Sequence, residues 1–359
     1  TLVKRGGIDF SMYDKDKDGF VDFFFMLFAG IGAANSGNKN AIWPHAGNIG
    51  NIGNPKNGVK LTDDIYMNRY ACANEISGLA YKKDSTTSSI EGIGTVVHEF
   101  SHVLGLPDLY DTKKTNPRKP LGSWDIMASG NYNCPSNSYN TQSCSPPLFS
   151  AFERMSLGWF TPTELNDTGS VKLDKLDDNI AFSVTNPKNP NEMFLLEYRT
   201  KKNWDKAQKS SGMLIWHIDY SDSVWKKGGI NSDSNHIYVN IIEAVPETST
   251  SAATTDPFPG SGKVTDFNKF IFWNGDDMKI ALSNITESPD TNYITFTVDM
   301  TIRSSSSTSS SSSVSSSSAA VSSSSVLSSS AAYSSSSVLS SSATSSSSSP
   351  KRLKSKPNS

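Results

Sequence analysis

Apolar and polar positions follow two rhythms along this chain, and the rhythm changes near residue 162. Upstream, "SIEGIGTVVHEFSHVL" predicts a helix. Ser88 and Glu91 stand in capping-box spacing before it, and Gly105 sits where it would stop. "PLFSAFERMSLGW" has apolar residues at helical spacing and predicts a second helix. "FFFMLFAGIGAA", after Val21, is too short to span a membrane and predicts a buried strand. Downstream, "NEMFLLEYRT", "GMLIWHIDY", "HIYVNIIEAV", "KFIFW" and "NYITFTVDM" are short β-branched and aromatic runs separated by Asn, Asp, Gly, Pro and Ser. That pattern predicts an all-β, sandwich-like unit. The expected class is α+β. A first domain spans 1–162, and a β-rich domain closely associated with it spans 163–302.

Composition changes sharply after Arg303. Residues 303–349 are nearly all serine with scattered Ala and Val, too little apolar area to offset chain entropy. They read as a disordered linker, and 350–359 as the basic start of a further module. The rest of the 359-residue chain is large enough to bury a substantial core as one domain or two. Four of the 33 Lys and Arg lie in the basic end. The remaining 29 face 35 Asp and Glu, a net of −6, which argues against a nucleic-acid binder. Cys134 and Cys144 bracket a polar loop that could close as a disulfide, leaving Cys72 as a buried thiol; three free thiols are the other reading. The chain opens in mid-pattern without Met or a signal peptide, so a processed or excised form is expected.

The strongest chemistry lies in "TVVHEFSHVLGLPDLYD". Positions i and i+4 of a helix share a face, so His98 and His102 can offer imidazole nitrogens to one zinc ion. Glu99 then reaches a water rather than the metal. It is expected to take that water's proton during attack on a peptide carbonyl and to pass it to the leaving amine. Zinc needs a third protein ligand. Asp108, six residues past His102, completes the pattern H-E-x-x-H-x-x-G-x-x-[H/D], with Gly105 turning the chain back. Glu153, on the second predicted helix, is the rival, because some zincins take their third ligand from a downstream helix. Asp108 is favoured because "SWDIMASG" sets Met127 in a turn of the kind that accompanies the short-range ligand. Trp159 suggests that the second helix packs into the core, where Glu153 could pair with a basic side chain.

With these residues in hand, the chain resembles the secreted bacterial zinc metallopeptidases of the immune inhibitor A type. The likeness rests on "YDKDKDGFVDFFFMLFAG", "IWPHAG", "HEFSHVLGLPDLYD", "GSWDIMASGNY", "PPLFSAFERMSLGW", "FLLEYRTKKNWD" and "GMLIWHID". It implies a metzincin-like catalytic fold, secretion, cleavage of extracellular proteins, and a propeptide that this sequence lacks. Some metzincins place a tyrosine two residues after the Met-turn methionine; here that position is Ser129. Tyr132, and beside it Tyr110, are the candidates for stabilising the oxyanion.

"DKDKDGFVDF" is a second cation candidate. Asp14, Asp16 and Asp18, then Gly19, the Phe20 carbonyl and Asp22 follow a calcium loop through its ninth position, but Phe25 replaces the usual twelfth-position Glu. The loop is therefore no EF-hand, and any calcium there would be structural. A solvated acidic turn is the plain alternative. His217 and Asp219 share a strand face and are expected as a packed or hydrogen-bonded pair rather than a cation site, and His45 as a loop residue. The expected activity is that of a monomeric zinc endopeptidase acting on protein or peptide substrates. Two rivals are a catalytically inactive, calcium-stabilised binding or adhesion protein and a zinc enzyme acting on a non-peptide amide or a glycan-linked substrate.

Overall fold

The computed structural model describes residues 7–50, 58–62, 64–78, 89–116, 119–135, 143–246 and 254–300. Ser88, the serine tract and the basic end lie outside the described residues. In the upstream region, β1 (Phe24–Ile31), β2 (His45–Asn48), the two-residue β3 (Val59–Lys60) and β4 (Tyr66–Met67), and β5 (Arg69–Ile76) come before the helix that carries the histidines. A three-stranded sheet has the order β1-β5-β2, with β1 parallel and β2 antiparallel to the central β5. A short helix α1 (Ala33–Ser36) follows β1. The longer α2 (Ile93–Leu104) packs on β5.

β1 departs from the expected buried strand. It is an edge strand of this sheet, with Leu27 64% and Met26 44% exposed. A continuous apolar run reads as burial on both faces, but this edge strand is only partly covered on either. Phe23 and Phe25 meet Phe100 of α2 at ring-centroid distances of 5.0 and 6.3 Å.

The ends of α2 differ from expectation at one terminus. Its N-cap is Gly92, without a side-chain cap. Glu91 is occupied elsewhere, accepting from Asn74 Nδ2 at 3.2 Å and Thr95 Oγ1 at 3.4 Å. At the C-terminus Gly105 adopts φ 110°, a left-handed conformation that costs glycine little. There the N–H groups of Gly105 and Leu106 donate to Ser101 O, at 3.1 and 3.0 Å, and the chain reverses toward Asp108. The second predicted helix is short. α3 (Ala151–Ser156) starts from a Ser150/Glu153 capping box, ends before Trp159, and leaves that tryptophan 51% exposed rather than in the core.

Downstream, β6 (Thr163–Glu164), β7 (Gly169–Asp174), β8 (Phe182–Asn186), β9 (Asn189–Arg199), β10 (Gly212–Asp219), β11 (Val239–Ile242), β12 (Ala281–Glu287) and β13 (Tyr293–Asp299) form two sheets. The five-stranded sheet has the order β11-β10-β9-β8-β6 and the three-stranded one β12-β13-β7. A helix α4 (Asp222–Lys227) links β10 to β11. "KFIFW" forms no strand; Ile271 makes one isolated bridge to Asp277, while Phe270 and Phe272 are buried.

Alternation along β9 and β10 explains their near-continuous apolar sequence. Phe194, Leu196, Tyr198, Met213 and Ile215 join a core shared with Leu282, Ile294, Phe296 and Val298 of the three-stranded sheet. Leu195, Leu214, Trp216 and Ile218 point to the other face. There they join Leu106, Leu109, Leu121, Trp124, Ile126 and Met127 from the upstream region. The five-stranded sheet is thus a middle layer covered on both faces, and its second core crosses residue 162.

Candidate metal centre

The donors of His98, His102 and Asp108 lie within 4.8 Å of one another. The main chain fixes which nitrogen each imidazole presents. His98 Nδ1 lies 2.8 Å from Ile126 O and His102 Nδ1 2.8 Å from Leu106 O. A carbonyl only accepts, so Nδ1 carries the proton on both rings and a neutral imidazole offers a lone pair at Nε2. Both Nε2 atoms face Asp108 Oδ1, at 3.3 and 3.4 Å. That oxygen is buried with no hydrogen-bond partner. Burial works against a charge on Asp108, yet when no cation is bound and the imidazoles are charged, their hydrogen bonds outweigh it and hold the carboxyl far below its ordinary range. Two lone pairs and a buried anionic oxygen aimed at one point suit a divalent cation such as zinc, and these donors fit it in type and number.

The turn around Met127 supports this cluster from below. Ile126 supplies the carbonyl for His98, and Met127 O accepts the N–H of Leu109, beside Asp108, at 2.9 Å. Asp125 accepts Met127 N–H at 2.8 Å and shapes the turn. Asp125 in turn belongs to a fully buried group of charges with Glu153, Glu197, Arg199 and Asp205. Arg199, from β9, bonds Asp205, Glu197 and Trp124 O, and Trp124 Nε1 donates to Asp256 at 2.8 Å. Glu153 therefore stands away from the histidines. It caps α3, accepting Ser150 N–H at 2.6 Å, and Glu197 accepts Ala151 N–H at 2.6 Å. Nothing local in the sequence announces this network, because its members come from α3, the Met127 turn, β9 and the segment after β9 that carries Asp205.

A cleft of about 560 Å³ opens over the cluster, lined by Glu99, Tyr110, Tyr132, Trp43 and Leu109 among others. Burial raises the Glu99 carboxyl, partly offset by His98 and His102, which makes it a better proton acceptor. Tyr110 and Tyr132 are partly exposed on the cleft wall. Burial and, for Tyr110, the Asp108 charge raise both phenols, so both keep an O–H to donate. His45 is absent from the cleft lining; it bonds Trp43 O at 2.7 Å and Tyr70 Oη at 2.8 Å.

Asp14, Asp16 and Asp18 also bring carboxylate oxygens within 4.8 Å of one another. Asp14 accepts from the N–H groups of Asp18 and Gly19 at 3.0 and 3.1 Å, and Asp18 from Phe20 N–H at 2.9 Å. Asp22 is outside the group and faces Lys15 N–H at 3.4 Å. His217 and Asp219 do not pair with each other. His217 takes Glu192 at 2.9 Å and His236 takes Asp219 at 2.8 Å, because each side chain reaches a neighbouring segment rather than along its own strand. Cys134 and Cys144 form a disulfide with Cα atoms 5.1 Å apart, and Cys72 is free and buried. None of the helices of the described residues is long and apolar enough to cross a membrane.

Residues 9–160 match the family model described as immune inhibitor A peptidase M6, catalytic domain. Immune inhibitor A of Bacillus thuringiensis subsp. alesti is 27% identical over 143 residues, 35% of this chain and 19% of that protein. The pre-pro-metalloprotease PrtV of Vibrio cholerae is 30% identical over 122 residues, 33% of this chain and 12% of that protein. The chain thus spans less than a fifth of the length of either relative. The matched segment holds the histidine helix, Asp108 and the Met127 turn, and in that segment the chain is similar to the catalytic domain of the immune inhibitor A peptidases and to named metalloproteases.

Proposed function

We propose that this chain is a secreted zinc endopeptidase that hydrolyses peptide bonds of extracellular proteins, with residues 1–162 as a metzincin-like catalytic domain and 163–302 as a β-rich domain against it. His98, His102 and Asp108 hold the zinc. The observation that carries this reading is the buried, unpartnered Asp108 Oδ1 facing both imidazole lone pairs. Zinc bound there supplies a Lewis acid and brings the pKa of a water ligand toward neutrality. Glu99 takes a proton at its carboxylate from the attacking water and hands it to the leaving amine. Tyr132 donates its hydroxyl to the carbonyl oxygen as negative charge develops, with Tyr110 on the same wall as the other candidate. Secretion is supported by the Cys134–Cys144 disulfide, which persists in oxidising compartments. The name of the Vibrio cholerae relative, a pre-pro-metalloprotease, supports synthesis with a propeptide. Calcium held by Asp14, Asp16, Asp18 and the Phe20 carbonyl, with Asp22 nearby, stabilises the entry to β1.

Glu99→Gln tests the mechanism. The variant should bind zinc stoichiometrically, because Glu99 handles protons and is not a ligand, and should digest no gelatin. Near-parental digestion would overturn the assignment.

A further inference from the structure

Two of the three zinc donors sit on α2, one helical turn apart, with their rings fixed by main-chain carbonyls. Asp108 is different. It lies in the loop after Gly105, and a loop holds a donor in place only as well as its own backbone is held. Both peptide groups on either side of Leu109 are tied down. Leu109 N–H, in the peptide that contains the Asp108 carbonyl, donates to Met127 O at 2.9 Å. Leu109 C=O accepts from Asn231 Nδ2 at 2.8 Å.

Asn231 comes from the β-rich part of the chain, 122 positions downstream, and is fully buried. Its amide is used throughout. Nδ2 also donates to Val239 O at 2.8 Å, and Oδ1 accepts Val239 N–H at 3.1 Å. The side chain therefore grips the first residue of β11 on one side and the Asp108 loop on the other. Its backbone takes part as well. Asn116 Nδ2 donates to Asn231 O at 3.0 Å and Thr115 Oγ1 to Ser232 O at 2.6 Å. A side chain with two donors and one acceptor in a rigid plane is needed, and aspartate in its place would set an oxygen against two carbonyls.

We propose that Asn231 is a positioning residue for the third zinc ligand. It holds the Leu109 peptide so that the Asp108 carboxylate meets the two Nε2 atoms without having to be ordered at each binding event. The inference rests on the reading of Asp108 as a ligand. It also gives the middle β layer a role in the chemistry of the upstream region.

The test is competitive zinc titration of the full chain against a chelator, on folded protein verified by circular dichroism. The variants are Asn231→Ala, the milder Asn231→Ser, Asp108→Ala and Ile285→Ala. Ile285 is buried in the far core, between the two downstream sheets, and its truncation lowers stability without touching the Asp108 loop. Zinc affinity should fall roughly 10–100-fold in Asn231→Ala, the range found when an outer partner of a metal site is removed. It should fall less in Asn231→Ser and stay parental in Ile285→Ala at a similar loss of Tm. If Asn231→Ala does not fold, Asn231→Ser carries the decision. Parental affinity in the Asn231 variants, beside a zinc-deficient Asp108→Ala, overturns the positioning role alone. Parental affinity in Asp108→Ala overturns the ligand reading and this inference with it. An equal loss in Ile285→Ala reduces Asn231 to a general stability residue.

Discussion

The histidine cluster and the acidic loop both gather ligand atoms within 4.8 Å, yet they are built in opposite ways. In the first, the donors come from a helix and the loop beyond it, the carbonyls of Ile126 and Leu106 fix the rings, and Asp108 Oδ1 is left buried without a partner. In the second, three aspartates lie within five residues, Asp16 and Asp18 are exposed, and the loop's own N–H groups already bond Asp14 and Asp18. The backbone already bonds the carboxylates of the acidic loop; no main-chain donor reaches Asp108 Oδ1. An ion should therefore be essential to one site and only stabilising at the other.

The largest effect tests the first half of that contrast. Asp108→Ala should lose zinc affinity by orders of magnitude, read by titration with a chromophoric chelator; a zinc-replete variant would break the comparison at its root. Removing the metal from the parent with a chelator should abolish casein digestion, and added zinc should restore it. A digest unaffected by the chelator would show that the cluster is not the reacting centre. The acidic loop should respond more weakly. Asp14→Ala combined with Asp16→Ala should remove any calcium dependence of Tm. A ligand confined to the folded state stabilises it by roughly 2.7 kcal/mol at a hundredfold excess over Kd. If the parent melts identically in calcium and in a calcium chelator, the loop is an acidic turn.

A third group of acids sharpens the contrast, since Asp125, Glu153, Glu197 and Asp205 are buried around Arg199 with no metal-binding histidine among them. Burial pushes Asp125 and Glu153 up, and the Asp125 charge pushes Glu153 further. The folded pair therefore holds protons that the unfolded chain releases once pH passes the ordinary carboxylate range. Stability should fall as pH rises above that range. Glu153→Gln, neutral throughout, should keep zinc and flatten the decline, so that its Tm gains on the parent between pH 5 and pH 8. Parallel Tm curves would mean that the buried pair carries no extra proton.

What the sequence made legible was local. The histidine helix and its Gly105 stop depend on residues within a few positions of one another, and β9, β10 and β13 declare themselves through runs of β-branched and aromatic residues. Three features misled. The apolar run of β1 resembles a core strand because composition does not report how many neighbours a strand has. Trp159 points to the right outcome for the wrong reason: α3 packs into the core through Ala151 and Phe152, but it stops before Trp159, which stays exposed. Ser88 and Glu91 have the spacing of a capping box, but Glu91 is spent on Asn74 and Thr95. Arg199 and Asn231 were not found at all. Their partners lie 75 and 122 positions away, at Trp124 and Leu109, where pattern reading has no reach.

That reach has a consequence for the order of folding. Leu109 and Asn231 are separated by 122 residues, and Trp124 and Asp256 by 132. Contacts so distant in sequence require long loops to close before they return any stabilisation, which slows folding in proteins rich in them. Synthesis runs from the N-terminus, so α2 with both histidines is complete long before β11 exists. A half-made chain therefore carries the histidine helix without the strand that anchors its third donor, and the centre closes only when the last layers dock.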